Sequence, residues 1–442
     1  MRSLKQLYRS SDWYTVYNLS SEHSRARFSL LCSTIVQAIV SGFSGGIFYT
    51  GLLVGYGIDI VNISIISVVP YIASLFSLFT PYIFSRIPRR RTILTITKIL
   101  YYTINILGVT LLPQLVQDPA GRVMGLIAII FLSNIINALF SPGYSPWHMY
   151  HITPDVRNSY HACNAFVSTI SSTLVTVLAS LFTDSLEGQA QLNLITFLRY
   201  LSYDVAFLDV YFLQKPKEPE YVVSTDRPAL LDIIRIPLSN RKFRLTILIV
   251  ALFQLTTNLT SSMESVWLLE TVKADYFYIN VLDSLHPLFL IATSKLWSRY
   301  IQKHGTFQSI AISCIFFMPT FLIWAFVDHS NYLWLYTIGK IVMFTVYVLM
   351  QLSSANLIYV NLPKEDQICY ISFYTILVNL SLFAGIMGGT YLLTCMGDTA
   401  LDLFGHAISG VPIILLIKGL LMMGCGLFVL LMRKKVEPDQ IR

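Results

Sequence analysis

"VNISIISVVPYIASLFSLFTPYIFSRIPRRRTILTITKILYYTINILGVTLL" covers residues 61–112. Two apolar runs, 61–84 and 92–112, flank SRIPRRRT (85–92), which carries Arg86, Arg89, Arg90 and Arg91. Each run reaches the ~20 residues that a helix needs to cross a bilayer. Helix is the expected form, because backbone in lipid must satisfy its own hydrogen bonds. The arginines then read as a tether holding a tight turn on the cytoplasmic side.

The rest of the chain extends this pattern. Of its 442 residues 55% are hydrophobic and 12% charged, with a mean hydropathy of +0.62. A soluble protein carries roughly a quarter charged residues, so lipid must cover much of this surface. About twelve apolar runs stand near 28–49, 61–84, 92–112, 123–141, 160–182, 191–213, 244–269, 276–298, 307–327, 332–358, 369–394 and 410–432. The expected fold class is therefore an all-α membrane protein with about 12 transmembrane helices, its partner the lipid bilayer. The polar stretch 1–27 ahead of the first run does not resemble a cleaved signal peptide.

Charge placement orients the chain. With a cytoplasmic amino terminus, 25 of the 31 basic residues fall in inner segments. Arg122 and Lys273 fall outside, and Lys98, Arg199, Lys340 and Lys418 within spans. Both termini are expected in the cytoplasm of a multi-pass cell-membrane protein. The net charge of +7 is mostly this orientation signal. Its spread over separate loops argues against nucleic-acid binding. The six cysteines lie within the runs or, for Cys395, at the edge of one, without a C-x-x-C pair, so they read as packing residues and no metal site is expected.

The chain repeats itself. Gln37 and Gln254, Arg27 and Arg244, and Pro70 and Pro287 are each 217 residues apart. HITPDVRNSYHACNAF (151–166) matches VNLPKEDQICYISFYT (360–375), with Pro154 over Pro363, and Arg86 meets Arg299 between them. Two six-helix halves, 28–213 and 244–432, are expected. A cytoplasmic segment 1–27, a linker 214–243 and a tail 433–442 complete the chain.

Six plus six helices, a long inner linker and a basic loop after helices two and eight resemble the major facilitator superfamily (MFS), over nearly the whole chain. In the family's loop signature, Pro81, Ser85 and Pro88 replace a glycine, an aspartate and a second glycine, while Arg86, Arg89 and Arg90 match. The resemblance implies that Arg86, Arg89, Arg90 and Arg299 act in cytoplasmic gating. It also implies a secondary transporter working by alternating access, likened to neither an enzyme nor a cofactor protein, and a monomer. Helix four has no arginine and helix five neither glycine nor proline, which departs from the family's drug exporters. No phosphate loop is visible, so an ion, proton or solute gradient is the expected energy source.

The resemblance puts helices one, four, seven and ten around the substrate. Polar residues at helical spacing there are Gln37 and Ser41; Asn134 and Asn137; Gln254, Asn258, Ser261 and Glu264; and Lys340, Tyr347 and Gln351. They are the expected contacts to a small polar organic solute. Interhelical bonding in lipid is the competing role, and an exporter of amphipathic compounds or lipids, or a sensor or scaffold, the competing function. Gly42/Gly46 and Gly385/Gly389 read as close-approach spacings. His161, near the inner end of helix five, reads as an interfacial histidine with a proton site as the alternative.

Intramembrane charges are few. Arg199 and Asp204 share helix six, Lys418 stands in helix twelve, and Asp283 and His286 are close enough in helix eight to touch. Glu264 and Lys340 come to similar depth in helices that run in opposite directions. A charge at that depth costs roughly 2.5–3.5 kcal/mol and needs a partner or water. Glu264, Lys340 and Asp283 are the expected coupling site, and a static ion pair is the alternative.

Overall fold

The computed structural model describes residues 12–436 apart from 85–86, 88, 154–155, 220–231, 358–359, 362, 364–366, 398 and 404–405. Arg86 therefore lies outside the described residues, as does the side chain of His161. Among the described residues, nine helical stretches are long and apolar enough to cross a membrane: Glu22–Gly55, Ile60–Phe84, Arg91–Leu115, Pro119–His151, Cys163–Asp184, Thr306–Trp324, Tyr332–Ser354, Tyr370–Met396 and Val411–Val436. Further helices are Gly188–Gln214, which carries Arg199, Asp204 and Asp209, the shorter Arg241–Thr257 and Tyr276–Ser284, and His286–His304. Helix ends use short polar side chains: Ser21 accepts from the Ser24 amide, Asp118 from Gly121 and Asn240 from Phe243. Trp334 is 78% and Leu431 77% exposed, as side chains in contact with lipid tails would be.

Three features differ from the sequence expectations. A two-stranded antiparallel hairpin, Ala400–Leu403 with His406–Ser409, interrupts the all-α plan ahead of the last helix. The first helix runs Glu22–Ser44, breaks at Gly45 and restarts as Gly46–Gly55. Gly46 makes this break with φ +54°, and nothing approaches within 4 Å of where its Cβ would be. It is a conformational glycine, while Gly42 is the packing one, 2.9 Å from a Val175 methyl by the same construction. The seventh run is broken too: Arg241–Thr257 ends, residues 258–262 turn, and Met263–Val266 restarts. Thr257 Oγ1 donates to the Phe253 carbonyl and Asn258 Nδ2 to the Gln254 carbonyl, and these side chains compete with the backbone that would extend the helix.

Two compact units form. One comprises described residues of Met1–Ile58 and Ala73–Asp226, the other those of Asp59–Ile72 and Arg227–Arg442. The first has an aromatic core of Trp147, Tyr144, Tyr160 and Leu94, capped by Val16 and Tyr17 from the short helix Asp12–Tyr17. Arg27, 5% exposed, fastens that helix by donating to the carbonyls of Val16 and His151. In the second unit Phe243, Val250, Phe307, Trp324, Tyr336 and Ile414 are among the fully buried side chains.

Glu218 fills a role that the basic loop leaves open. Its Oε1 accepts from the Arg90 amide at 2.6 Å and the Arg91 amide at 3.2 Å, where helix Arg91–Tyr102 begins. A carboxylate there meets unpaired amides and the positive end of the helix dipole. Glu218→Ala should lower stability by about 0.5–2 kcal/mol, read as a lower melting temperature of the purified protein. An unchanged melt would mean that water caps the helix equally well.

Candidate functional site

In the carboxyl unit three charges from separate helical segments meet. The restart after the 258–262 turn presents Glu264, whose amide donates to the Thr260 carbonyl at 3.1 Å. Helix Tyr276–Ser284 ends just past Asp283, because Leu285 and the helix beginning His286–Pro287 follow at once and Pro287 has no amide to donate. A carboxylate at a helix carboxyl end is unfavourable by itself. Lys340, in helix Tyr332–Leu357, offsets this: its Nζ donates to Asp283 Oδ1 at 2.8 Å. The same ammonium stands 4.0 Å from Glu264 Oε1, which accepts a hydrogen bond from the Tyr336 hydroxyl at 3.1 Å.

The expected Glu264–Lys340 pair is thus a triad in which Asp283 is the nearer partner. The Lys340 side chain is 9% exposed, that of Glu264 21% and that of Asp283 54%. The ammonium is buried while one carboxylate remains open to exchange. Aromatic faces complete the surroundings: Lys340 Nζ lies 5.5 Å from the Trp324 ring, 5.3 Å from Tyr336 and 5.7 Å from Phe344. Tyr336 stacks on Trp324 at 4.8 Å. His286 packs on Phe344 and Tyr347 and its Nε2 has no hydrogen bond, while the carboxylate of Asp283 takes its hydrogen bond from Lys340.

The other expected contacts are dispersed. Asn258 Nδ2 donates to the Gln254 Oε1 at 3.3 Å, so these two meet, while Ser261 is exposed and donates to the Asn258 carbonyl. Tyr347 is half-buried and Gln351 exposed further along the Lys340 helix. In the amino unit Asn134 donates to the Ile130 carbonyl, Asn137 is half-buried, and Ser41 is exposed with its hydroxyl on the Ala38 carbonyl. Arg89 and Arg299 are exposed; Arg90 covers the Phe84 ring at 5.2 Å.

Gln37 leads to a residue that the sequence reading passed over. Its Nε2 donates to Asp209 Oδ1 at 3.1 Å, although Gln37 itself is exposed. Asp209 is fully buried and also accepts from Ser33 Oγ at 2.6 Å and the Tyr102 hydroxyl at 2.5 Å, with Lys98 Nζ 3.8 Å away. Helices Glu22–Ser44, Arg91–Tyr102 and Gly188–Gln214 are joined at this carboxylate. The available signal was the third charge in an otherwise apolar run. Asp204, which the sequence singled out instead, is exposed. Arg199 is 1% exposed, donates to Thr110 Oγ1 at 2.8 Å and to the Ser44 carbonyl, and lies over Tyr49. Among the described residues no cluster of histidine, cysteine or carboxylate side chains could hold a metal ion.

Comparison with known proteins adds the family. A model described as MFS/sugar transport protein matches residues 120–359, more than half of the chain. No curated protein matches the sequence. Among solved structures, a mutant form of the nucleoside transporter NupG is 13% identical with a TM-score of 0.70, over 92% of this chain and 99% of that one. A bacterial homologue of the iron transporter ferroportin, in an inward-facing state, is 12% identical with a TM-score of 0.65, over 92% and 98%. A D-xylose-proton symporter is 14% identical with a TM-score of 0.63, over 93% and 98%. At such identities the likeness is one of fold.

Proposed function

This chain belongs to the MFS/sugar transport protein family, and from that premise we propose that it carries a small polar organic solute across the cell membrane by ion- or proton-coupled alternating access. In this reading it is a monomer with twelve crossings, both termini in the cytoplasm, and six-helix halves 28–213 and 244–432. Arg86, Arg89, Arg90 and Arg299 gate the cytoplasmic side. Glu264, Lys340 and Asp283 form the coupling site, and Gln37, Ser41, Asn134, Asn137, Gln254, Asn258, Ser261, Tyr347 and Gln351 offer hydrogen bonds to the solute.

The observation that carries the reading is the sharing of one buried ammonium between two carboxylates. Lys340 is 2.8 Å from Asp283 and 4.0 Å from Glu264. A static structural pair needs one carboxylate; a second, partly exposed and further off, gives the ammonium an alternative. A proton or a substrate oxygen that engages one member changes the balance of the other two. Such differential engagement is what gradient coupling requires.

The test is counterflow and accumulation in vesicles, using solutes first found by thermal-shift screening of the purified protein. Glu264→Gln should abolish gradient-driven accumulation while passive exchange survives. Unchanged accumulation in a stably folded variant would leave the triad a structural role only. Exchange seen with labelled lipid alone would point to a lipid exporter, and no exchange at all to a scaffold.

A further inference from the structure

Lys418 is a second buried ammonium in the carboxyl unit, and the triad as described does not use it. It is 7% exposed in helix Val411–Val436, its Nζ donates to Thr260 Oγ1 at 2.9 Å, and it lies 4.9 Å from the Phe321 ring. One neutral hydroxyl and one ring face compensate a buried charge poorly. Arg199, 219 residues earlier and also in the last helix of its repeat, is held by Thr110, the Ser44 carbonyl and Tyr49. The comparison leaves Lys418 as the less committed cation.

Its surroundings show what it is directed to. Thr260, which takes the Lys418 hydrogen bond, is also the residue whose carbonyl accepts from the Glu264 amide. Glu264 therefore stands one turn of chain from the Lys418 anchor. Among the charged groups of the coupling site, Glu264 is the one whose segment shares Thr260 with Lys418. Facing Glu264 are Lys340 and Tyr336 from one helix, with Asp283 joined to it through Lys340 and Lys418 held at Thr260 in the turn just ahead of it. Of the two carboxylates beside Lys340, Glu264 is the one held loosely.

We propose that Lys418 is the second cation of the coupling site, sharing Glu264 with Lys340, so that Lys340 can turn to a substrate oxygen while Glu264 stays a carboxylate. The proposal rests on the reading of Glu264 and Lys340 as the coupling pair. Lys418 acts through Glu264 and is a positioning residue. Without it, release of Lys340 would strand a carboxylate in a mostly apolar setting, and a proton would neutralise it before the solute had bound.

Infrared spectroscopy of the full-length protein at neutral pH tests this, with Glu264→Gln identifying the Glu264 carboxyl signal. In Lys340→Met, Glu264 should remain a carboxylate, because Lys418 takes over. In the double variant Lys340→Met/Lys418→Met, Glu264 should appear as the protonated acid, and Lys340→Met/Lys418→Arg should restore the carboxylate. Where the double methionine variant does not fold, Lys340→Met/Lys418→Gln keeps a donor to Thr260 and takes its place. A protonated Glu264 in Lys340→Met alone, or a carboxylate in the double variant, would overturn the proposal. Neither outcome depends on transport, so a failure of the coupling reading shows separately, as unchanged accumulation in Glu264→Gln.

Discussion

Asp209→Ala should destabilise the protein by about 3–5 kcal/mol, the usual cost of removing one member of a buried charge pair. Asp209 is fully buried, and its loss strands the Lys98 ammonium, whose side chain is 14% exposed. Ser33 and Tyr102 also lose the acceptor that they reach at 2.6 and 2.5 Å. Each unsatisfied buried donor adds to the penalty. Asp209→Asn keeps an acceptor oxygen and should fall between the two, while Lys98→Met in the alanine background should recover part of the loss by removing the stranded charge. Thermal melts of the purified variants give the order. Equal melting temperatures for wild type and Asp209→Ala would mean that the three helices are joined by apolar packing alone.

Asp209 stands out only in the folded chain, where three helices meet at its carboxylate. Rare charges in apolar runs stand out, so Glu264 and Lys340 could be paired from their depth and from the helices that the family resemblance puts at the cavity, with Asp283 added as a third charge. Helix Gly188–Gln214 carries three charges, and sequence offers no means to rank them. Packing against two other helices buries Asp209 completely and leaves Asp204 exposed. The preference of Lys340 for Asp283 was hidden for a related reason. It depends on two helix breaks, at 258–262 and at Leu285, neither of which carries a glycine. Side chains taking backbone carbonyls make the first break, and periodicity in hydrophobicity does not register such competition. The membrane class, by contrast, follows from composition, and the basic loops from solvation, both properties that need no tertiary contact.

Gly389→Ala should disturb the site without touching a charged group. A Cβ at Gly389 would lie 1.8 Å from the Leu259 carbonyl oxygen, and one at Gly385 2.5 Å from that of Leu255. Helix Gln367–Met396 therefore rests its glycines directly on the backbone where Arg241–Thr257 ends and the 258–262 turn begins. That turn carries Thr260, the anchor of Lys418, and leads to Glu264. A backbone oxygen cannot rotate aside as a side chain can, so a methyl group must push the two segments apart. Overpacking of this kind costs roughly 1–3 kcal/mol, and more where backbone has to move. Gly388 is the internal control: its nearest neighbour is a Leu259 methyl at 3.9 Å, an ordinary contact, so Gly388→Ala should melt like wild type. If Gly389→Ala lowers both the melting temperature and accumulation while Gly388→Ala lowers neither, close backbone approach sets the position of the turn. Equal behaviour of the two variants would show that the helices have room to spare, and that the turn is held from within its own segment.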